Sequence, residues 1–168
     1  MIAEWRGKGV RPDHGGELQK MSAVDDVDKL IEHHQQATAE FVKGNPEPYK
    51  ALFSHREDVT LANPFFPPVR GWDEVAEALE RTASLLRDGE FVGSEIISKY
   101  VTAELAYVVS LVRERAKVGR SVDTAPIALR ATMILRPEDG VWKVVHLQED
   151  PITSPQPAES VIQEQVHP

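Results

Sequence analysis

Residues 128–150 read ALRATMILRPEDGVWKVVHLQED, and they predict the last hairpin of the fold. Apolar and polar side chains alternate through residues 128–136 and again through residues 141–150, which is the period of a strand with one buried face. The turn between the two runs contains Asp139-Gly140, a dipeptide that is typical of tight hairpin turns. We therefore predict two antiparallel strands that pair across this turn.

The register of this hairpin predicts which side chains share a face. If Arg136 lies opposite Trp142, then Trp142 and Val144 are near the turn and a polar group follows them on the same face. The polar group consists of Arg130, Thr132, His146 and Gln148. A polar cluster on an otherwise apolar face is where we expect a small molecule to bind.

The composition is that of an ordinary globular domain. The chain has 168 residues, of which 41% are hydrophobic and 27% are charged, and this is enough for one core. The formal net charge is −8, which argues against a nucleic-acid partner. Cysteine is absent, so the sequence excludes disulfides and thiolate metal ligands. No apolar segment approaches the ~20 residues of a membrane helix, and no secretion signal is recognisable, so we expect a cytoplasmic protein without a membrane partner.

The apolar pattern divides the chain into an arm, one domain and a tail. Residues 1–22 are rich in glycine and charge and have no apolar period, which predicts a flexible N-terminal arm. A helical period begins near Asp25, and Ser22 with Asp25 resembles a capping box. We assign residues 23–153 to a single domain and residues 154–168 to a proline-rich C-terminal tail.

The predicted order of elements is helix, helix, strand, helix and then four strands. A short second helix follows Asn45-Pro46, the first strand covers residues 58–62 and the third helix covers residues 72–87. Strands at 91–99 and 106–117 precede the final hairpin. Helices followed by a run of strands predict an α+β fold, in which a curved antiparallel sheet carries three helices from the N-terminal half on its concave face.

The final hairpin is apolar on both faces. Leu129, Ala131, Met133 and Leu135 alternate with the face that carries Arg130. Three helices cover only one face of a sheet, so we expect the other face to pack against a second copy of the chain in a homodimer.

The pattern resembles a known superfamily over roughly residues 25–153. The resemblance is carried by the helix-helix-strand opening, by Asn63-Pro64 with Gly71 ahead of a long helix, by the strand 105–109 and by the ending 139–146. These features look like the SnoaL-like and ketosteroid isomerase-like branch of the nuclear transport factor 2-like superfamily. The resemblance implies a cone-shaped fold around an apolar pocket and dimers formed through the sheet. Because activities in the superfamily are diverse, the fold does not settle the function.

One position departs from the ketosteroid isomerase pattern. The general base of those enzymes is an Asp directly before a Pro, and the matching residue here is Asn63 before Pro64. A carboxamide cannot accept a proton at neutral pH, so the resemblance implies no steroid isomerisation through this residue. Asn63 either orients a ligand carbonyl or a water, or it only initiates the loop.

His146 and Arg130 are the remaining candidates for catalytic residues. The ordinary pKa of histidine suits proton transfer, although His146 is equally a candidate for a core histidine bonded to Thr132 or to a helix carbonyl. Arg130 either anchors an anionic oxygen of a ligand or pairs with Glu114 or Asp150. Asn63 completes the predicted catalytic set.

The expected ligand is a small hydrophobic molecule. The residues predicted to bind it are Phe65, Phe66, Trp72, Gln148, Thr132, Tyr49 and Asp150. We expect no metal, because no histidines have ligand spacing, and no cofactor, because no phosphate-binding loop is present. The predicted function is binding of a hydrophobic carbonyl compound, with cofactor-free isomerisation, cyclisation or dehydration. The alternative is a non-catalytic ligand-binding or assembly domain.

Overall fold

The computed structural model describes residues 14–161, and its elements follow the predicted order. The helices are α1 (His14–Phe41), α2 (Glu47–Lys50) and α3 (Trp72–Ser84). The strands are β1 (Thr60–Ala62), β2 (Val69–Arg70), β3 (Leu86–Val101), β4 (Ala106–Val118), β5 (Ala125–Glu138) and β6 (Val141–Asp150), and a short 3₁₀ helix follows at Ala158–Val161. Part of the predicted arm (1–13) and part of the predicted tail (162–168) lie outside the described residues.

The strands form one curved sheet with the order β2-β1-β6-β5-β4-β3. The pairs β3–β4, β4–β5 and β5–β6 are antiparallel, whereas β1 runs parallel to β6. The predicted α+β fold is therefore confirmed. The two-residue strand β2 was not predicted, because so short a segment shows no period. Within residues 14–161, no helix has the length and apolar character that crossing a membrane requires.

The apolar stripe predicted on the first helix is buried against the sheet. Its buried members are Val27, Leu30, Ile31, His34, Thr38, Phe41 and Val42. The helix begins at His14 rather than near Asp25, so Ser22 lies inside it and does not cap it. The sequence did not predict that the helix begins this early, because its first turns lack the apolar stripe. Extending an existing helix adds one hydrogen bond for each residue fixed, so it needs no such stripe.

A β-bulge in β6 changes the predicted register of the last hairpin. Ile134 pairs with His146, but the next residue, Leu135, pairs with Val144, so Val145 has no residue opposite it. One extra residue reverses the face that the rest of the strand presents. Even-numbered residues of β6 therefore face the helices before the bulge, and odd-numbered residues face them after it.

The reversal moves the predicted polar group to the other side of the sheet. The pairing of Arg136 with Trp142 is wrong, since Arg136 pairs with Lys143. Beyond the bulge, Leu147 and Glu149 face the helices together with the buried side of β5. The residues on the outer face are instead Arg130, Thr132, His146, Gln148 and Asp150. Their predicted placement on the helix-facing side is wrong.

Gly89 lets the start of β3 pass close to the end of α1. A Cβ atom at this position would lie 2.1 Å from the carbonyl oxygen of Val42 and 2.5 Å from its Cβ. The third helix, predicted to extend to residue 87, already ends at Ser84, and Gly89 lies within β3. Glycine is therefore required at this position because the backbone of Val42 approaches it closely.

We expect Gly89→Ala to lower the free energy of unfolding by about 2 kcal/mol or more, because backbone must move to admit the methyl group. Gly119→Ala is the matched control, since a Cβ there meets no atom within 4 Å and only its φ of +58° is unfavourable. The control should lose about 1 kcal/mol. Urea unfolding measures both, and equal losses would contradict the close approach.

Candidate functional site

A cavity lies between the helices and the concave face of the sheet, and we call it the carboxyl pocket. Its volume is about 50 Å³, which is room for a few water molecules. Most of its wall is apolar and consists of Phe41, Leu61, Pro64, Phe65, Leu79, Leu86, Ile127, Leu129 and Leu147. Six polar side chains complete the wall: Thr38, Tyr49, Asn63, Thr82, Glu114 and Glu149.

Glu114 and Glu149 bring two carboxyl groups into this apolar wall. Glu114 lies on β4, Glu149 lies on β6, and both face the helices across the intervening strand β5. Burial raises the pKa of Glu114 to about 7. Burial also raises the pKa of Glu149 to about 8, and the nearby charge of Glu114 adds to the effect. Two carboxyl groups that titrate near neutrality are suited to giving and taking protons at physiological pH.

Tyr49 lines the carboxyl pocket, and its ring is also part of the core. The ring centroid lies 4.7 Å from that of Phe41 and 4.8 Å from that of His34. Burial raises the pKa of the Tyr49 phenol, and the charges of Glu149 and Glu114 raise it further. The phenol therefore stays protonated at neutral pH and can donate a hydrogen bond.

Asn63 lines the pocket, but its carboxamide is occupied by hydrogen bonds within the protein. Its Nδ2 donates to the Thr82 hydroxyl at 2.9 Å, and its Oδ1 accepts from the backbone N–H groups of Phe65 at 2.9 Å and Phe66 at 3.1 Å. These bonds fix the turn that carries Phe65 to the edge of the pocket. The geometry favours the interpretation in which Asn63 shapes the loop over the one in which it orients a ligand.

Phe66 and Trp72, which were predicted to bind the ligand, do not line the carboxyl pocket. The Phe66 ring lies under the Arg81 guanidinium, with 4.9 Å between the guanidinium carbon and the ring centroid. Trp72 stacks on His55 with 3.8 Å between ring centroids. Both aromatic rings thus have partners outside the pocket, and Phe66 also contacts Phe65, with 6.5 Å between their ring centroids.

Four of the predicted site residues lie together on the outer face, where Arg130, Thr132, Gln148 and Asp150 line a cavity of about 250 Å³. Arg130 Nε lies 2.7 Å from the Asp150 carboxylate, so the predicted alternative of an ion pair with Asp150 is confirmed. The other alternative, Glu114, is wrong because that residue faces the helices. His146 Nδ1 lies 2.7 Å from the Thr60 hydroxyl, and burial lowers the pKa of His146. None of these side chains lines the carboxyl pocket.

Sequence reasoning missed Glu149 because it assumed uninterrupted alternation along β6. A signal was present in the spacing of the apolar residues. Trp142 and Val144 are two residues apart, whereas Val144 and Leu147 are three apart. An odd step in an alternating strand is typical of a bulge, and it would have placed Glu149 on the buried face.

The raised pKa values determine how stability depends on pH. A carboxyl group whose pKa rises from 4.5 to about 8 on folding holds its proton in the folded state alone between these values. The free energy of unfolding then falls as pH increases through this range, by at most about 1.4 kcal/mol per pH unit for each such proton. His34 acts in the opposite sense, because burial lowers its pKa from 6.5 to about 4, but this contribution is confined to lower pH.

We expect Glu149→Gln to become increasingly more stable than the wild type as pH rises from about 6 to 8, because the amide carries no charge into the pocket. Chemical unfolding at a series of pH values measures this difference, from which the His34 contribution cancels. Asp150→Asn, the same chemical change on the outer face, should not show this trend. If the difference in free energy of unfolding between Glu149→Gln and the wild type did not change with pH, this would contradict the raised pKa of Glu149.

The described residues contain no group of three or more histidine, aspartate or glutamate side chains that could hold a metal ion. No protein-family model matches the sequence, and a comparison with curated protein sequences finds no match.

Solved structures do match the fold, at low sequence identity. A ketosteroid isomerase-like protein from Erwinia carotovora atroseptica is 20% identical with a TM-score of 0.63, and the match covers 77% of this chain and 96% of that one. A scytalone dehydratase-like protein from Novosphingobium aromaticivorans is 16% identical with a TM-score of 0.62, covering 79% and 86%. A nuclear transport factor 2-like protein from Salmonella enterica is 16% identical with a TM-score of 0.64, covering 83% and 97%. The chain therefore has the nuclear transport factor 2-like fold, as the sequence resemblance predicted.

Proposed function

We propose that the chain binds a small hydrophobic carbonyl compound in the carboxyl pocket and catalyses a cofactor-free acid–base reaction on it. The observation that carries this proposal is the pair Glu114 and Glu149, two carboxyl groups with pKa values of about 7 and 8 in an apolar cavity. Burying carboxyl groups in this way costs stability, and groups with such shifted pKa values are concentrated at functional sites.

The two carboxyl groups are suited to different roles at neutral pH. Both burial and the nearby charge of Glu114 raise the pKa of Glu149, so we assign the protonated general acid to Glu149 and the ionised general base to Glu114. The base removes a proton from the carbon next to the carbonyl, and the acid protonates an oxygen of the ligand. The Tyr49 phenol donates a hydrogen bond to the oxygen on which negative charge develops. His146 and Arg130, on the outer face, take no part.

The cavity limits the ligand unless the protein moves. Its volume of about 50 Å³ is far below the 300–1,000 Å³ that is typical of sites for drug-sized molecules, roughly a sixth of the lower bound. Phe65 is exposed and lies at the edge of the pocket in a loop held by Asn63. We propose that Phe65 turns outward when a ligand enters, and that Asn63 keeps the rest of the loop in place.

The names of two solved structures with this fold agree with the type of reaction. One is ketosteroid isomerase-like and the other is scytalone dehydratase-like, so one name is that of an isomerase and the other that of a dehydratase. At 20% and 16% identity they support the choice of isomerisation or dehydration only as analogy. The carboxyl pair remains the basis of the proposal.

Glu149→Gln should reduce turnover by about 100-fold or more, because the amide cannot transfer a proton in the reaction. A thermal-shift screen of cyclic ketones, enones and β-hydroxyketones first identifies a ligand. A ligand at a concentration of ~100 times its Kd raises the free energy of unfolding by about 2.7 kcal/mol. Turnover is then followed by the change in ultraviolet absorbance of the enone.

The control for this experiment is Asp150→Asn, which makes the same change one residue away on the outer face and should leave turnover intact. A ligand that binds without being converted would instead support the alternative of a non-catalytic binding domain. Wild-type turnover in Glu149→Gln would exclude the proposed acid, and the absence of any ligand would move the proposal to an assembly role.

We also propose that the outer face of the sheet packs against a second copy of the chain. Tyr100 and Tyr107 pair across β3 and β4, and their rings stack with 6.0 Å between centroids although they are 57% and 38% exposed. Ile134, the partner of Tyr107 on β5, continues this apolar surface. Large exposed apolar patches of this kind are typical of interfaces between proteins.

Tyr107→Lys should convert a homodimer into a monomer, because a lysine in the centre of the interface would be buried without a partner. Size-exclusion chromatography with light scattering measures the mass of the wild type and the variant. Val122→Lys is the control, since Val122 is 80% exposed and lies outside the strands. A monomeric wild type would contradict this second proposal and leave the first one unaffected.

A further inference from the structure

A second, smaller cavity shares a wall with the carboxyl pocket. It lies between α1 and the strands β3, β4 and β5, and Thr38 lines both cavities. Its volume is about 20 Å³. Its polar side chains are His34, Gln35, Thr38, Ser94 and Ser110. Three of these have partners within the protein, since Gln35 Nε2 donates to the Ser94 hydroxyl and Thr38 Oγ1 donates to the His34 carbonyl.

His34 presents an unpartnered nitrogen in this region. The residue is only 8% exposed, and among the described residues its Nε2 atom has no hydrogen-bond partner. Burial lowers the pKa of His34 to about 4, so the imidazole is neutral at physiological pH. A buried polar atom without a hydrogen bond lowers the stability of the fold, which favours a site that supplies a partner from outside the chain. An apolar residue would fill this position on α1 without that cost.

The sheet places the second cavity next to Glu149. Glu149 on β6 pairs with Ala131 on β5, and Ala131 pairs with Ser110 on β4, so the three residues form a row across the sheet. Two strand spacings separate the backbones of Glu149 and Ser110 by about 10 Å. The methyl group of Ala131 is the only side chain between them in this row, and Ala131 lines the second cavity. A larger side chain at this position would occupy the space.

We infer that the second cavity is a hydroxyl-binding subsite of the carboxyl pocket, in which His34 Nε2 and the Ser110 hydroxyl hold one hydroxyl group beside Glu149. The inference rests on the proposed function. A volume of about 20 Å³ admits one group the size of a water molecule. A hydroxyl both donates and accepts, so it suits a neutral imidazole nitrogen in either tautomer and a serine at the same time. The hydroxyl belongs either to a bound water or to the ligand.

A high-resolution crystal structure of the wild type tests the subsite directly. We expect an oxygen atom within about 3.2 Å of both His34 Nε2 and Ser110 Oγ. The same oxygen should be absent in Ala131→Val, because the two added methyl carbons fill the space above the row. Ala128→Val is the matched control, since Ala128 lies on the same strand and is exposed, and it should retain the oxygen.

The absence of an oxygen from the wild type would overturn the inference, and so would an unchanged oxygen in Ala131→Val. If Ala131→Val does not fold, Ser110→Ala provides the second variant. It removes one of the two partners, and the oxygen should then shift or be lost. An unchanged position in Ser110→Ala would contradict the role of the serine.

Crystals soaked with phenol and with resorcinol distinguish the two sources of the hydroxyl. Replacement of the water by the second hydroxyl of resorcinol would identify a ligand hydroxyl as the natural occupant. Retention of the water beside either bound molecule would identify water itself. The oxygen is located without turnover, so its absence leaves the proposed function standing. Conversely, wild-type turnover in Glu149→Gln would remove the proposed function while the oxygen remained in place.

Discussion

The bulge at Val145 determines which side chains of the last strand face the interior. With Val145 unpaired, Trp142 and Val144 before the bulge and Leu147 and Glu149 after it all point toward the helices. A regular strand would have turned Leu147 outward and buried His146 instead, which would remove a large apolar residue from the core. The hydrophobic requirement of the core thus fixes the bulge, and the bulge brings a carboxyl group into the pocket.

The interior that results is polar in places where packing alone would favour apolar residues. Glu114 and Glu149 are held at raised pKa values and His34 at a lowered one, and burial is the largest cause in all three. Each shift means that the fold favours the uncharged form and loses stability where the charged form is demanded. The free energy of unfolding therefore falls in both directions from neutral pH. His34 lowers it at low pH, and the two carboxyl groups lower it at high pH. Retention of three such groups around adjoining cavities is consistent with the function that we propose.

The sequence was sufficient for the fold, and for part of the site. The stripe on α1, the antiparallel strands and the Asp139-Gly140 turn each follow from a short-range pattern, and the structure contains all three. Tyr49, Asn63 and Phe65 line the pocket, in elements that were predicted correctly, and their roles toward a ligand stay predictions. The prediction was wrong for the polar residues that alternation placed on the helix-facing side of the last hairpin. A single unpaired residue reverses the alternation, and its position depends on tertiary packing. Alternation correctly predicts which face a side chain lies on within a regular stretch of strand. It does not predict the face of residues beyond a bulge.

The proposed chemistry depends on Glu149 facing the pocket with its carboxyl group removed from water. The most direct measurement is a titration of the wild type with ¹³C-labelled glutamate, followed by NMR, in which Glu149→Gln assigns the Glu149 carboxyl signal. We expect a midpoint near pH 8, well above the ordinary value of 4.5. A midpoint close to 4.5 would place the carboxyl group in water and contradict both the buried orientation of Glu149 and its role as the acid.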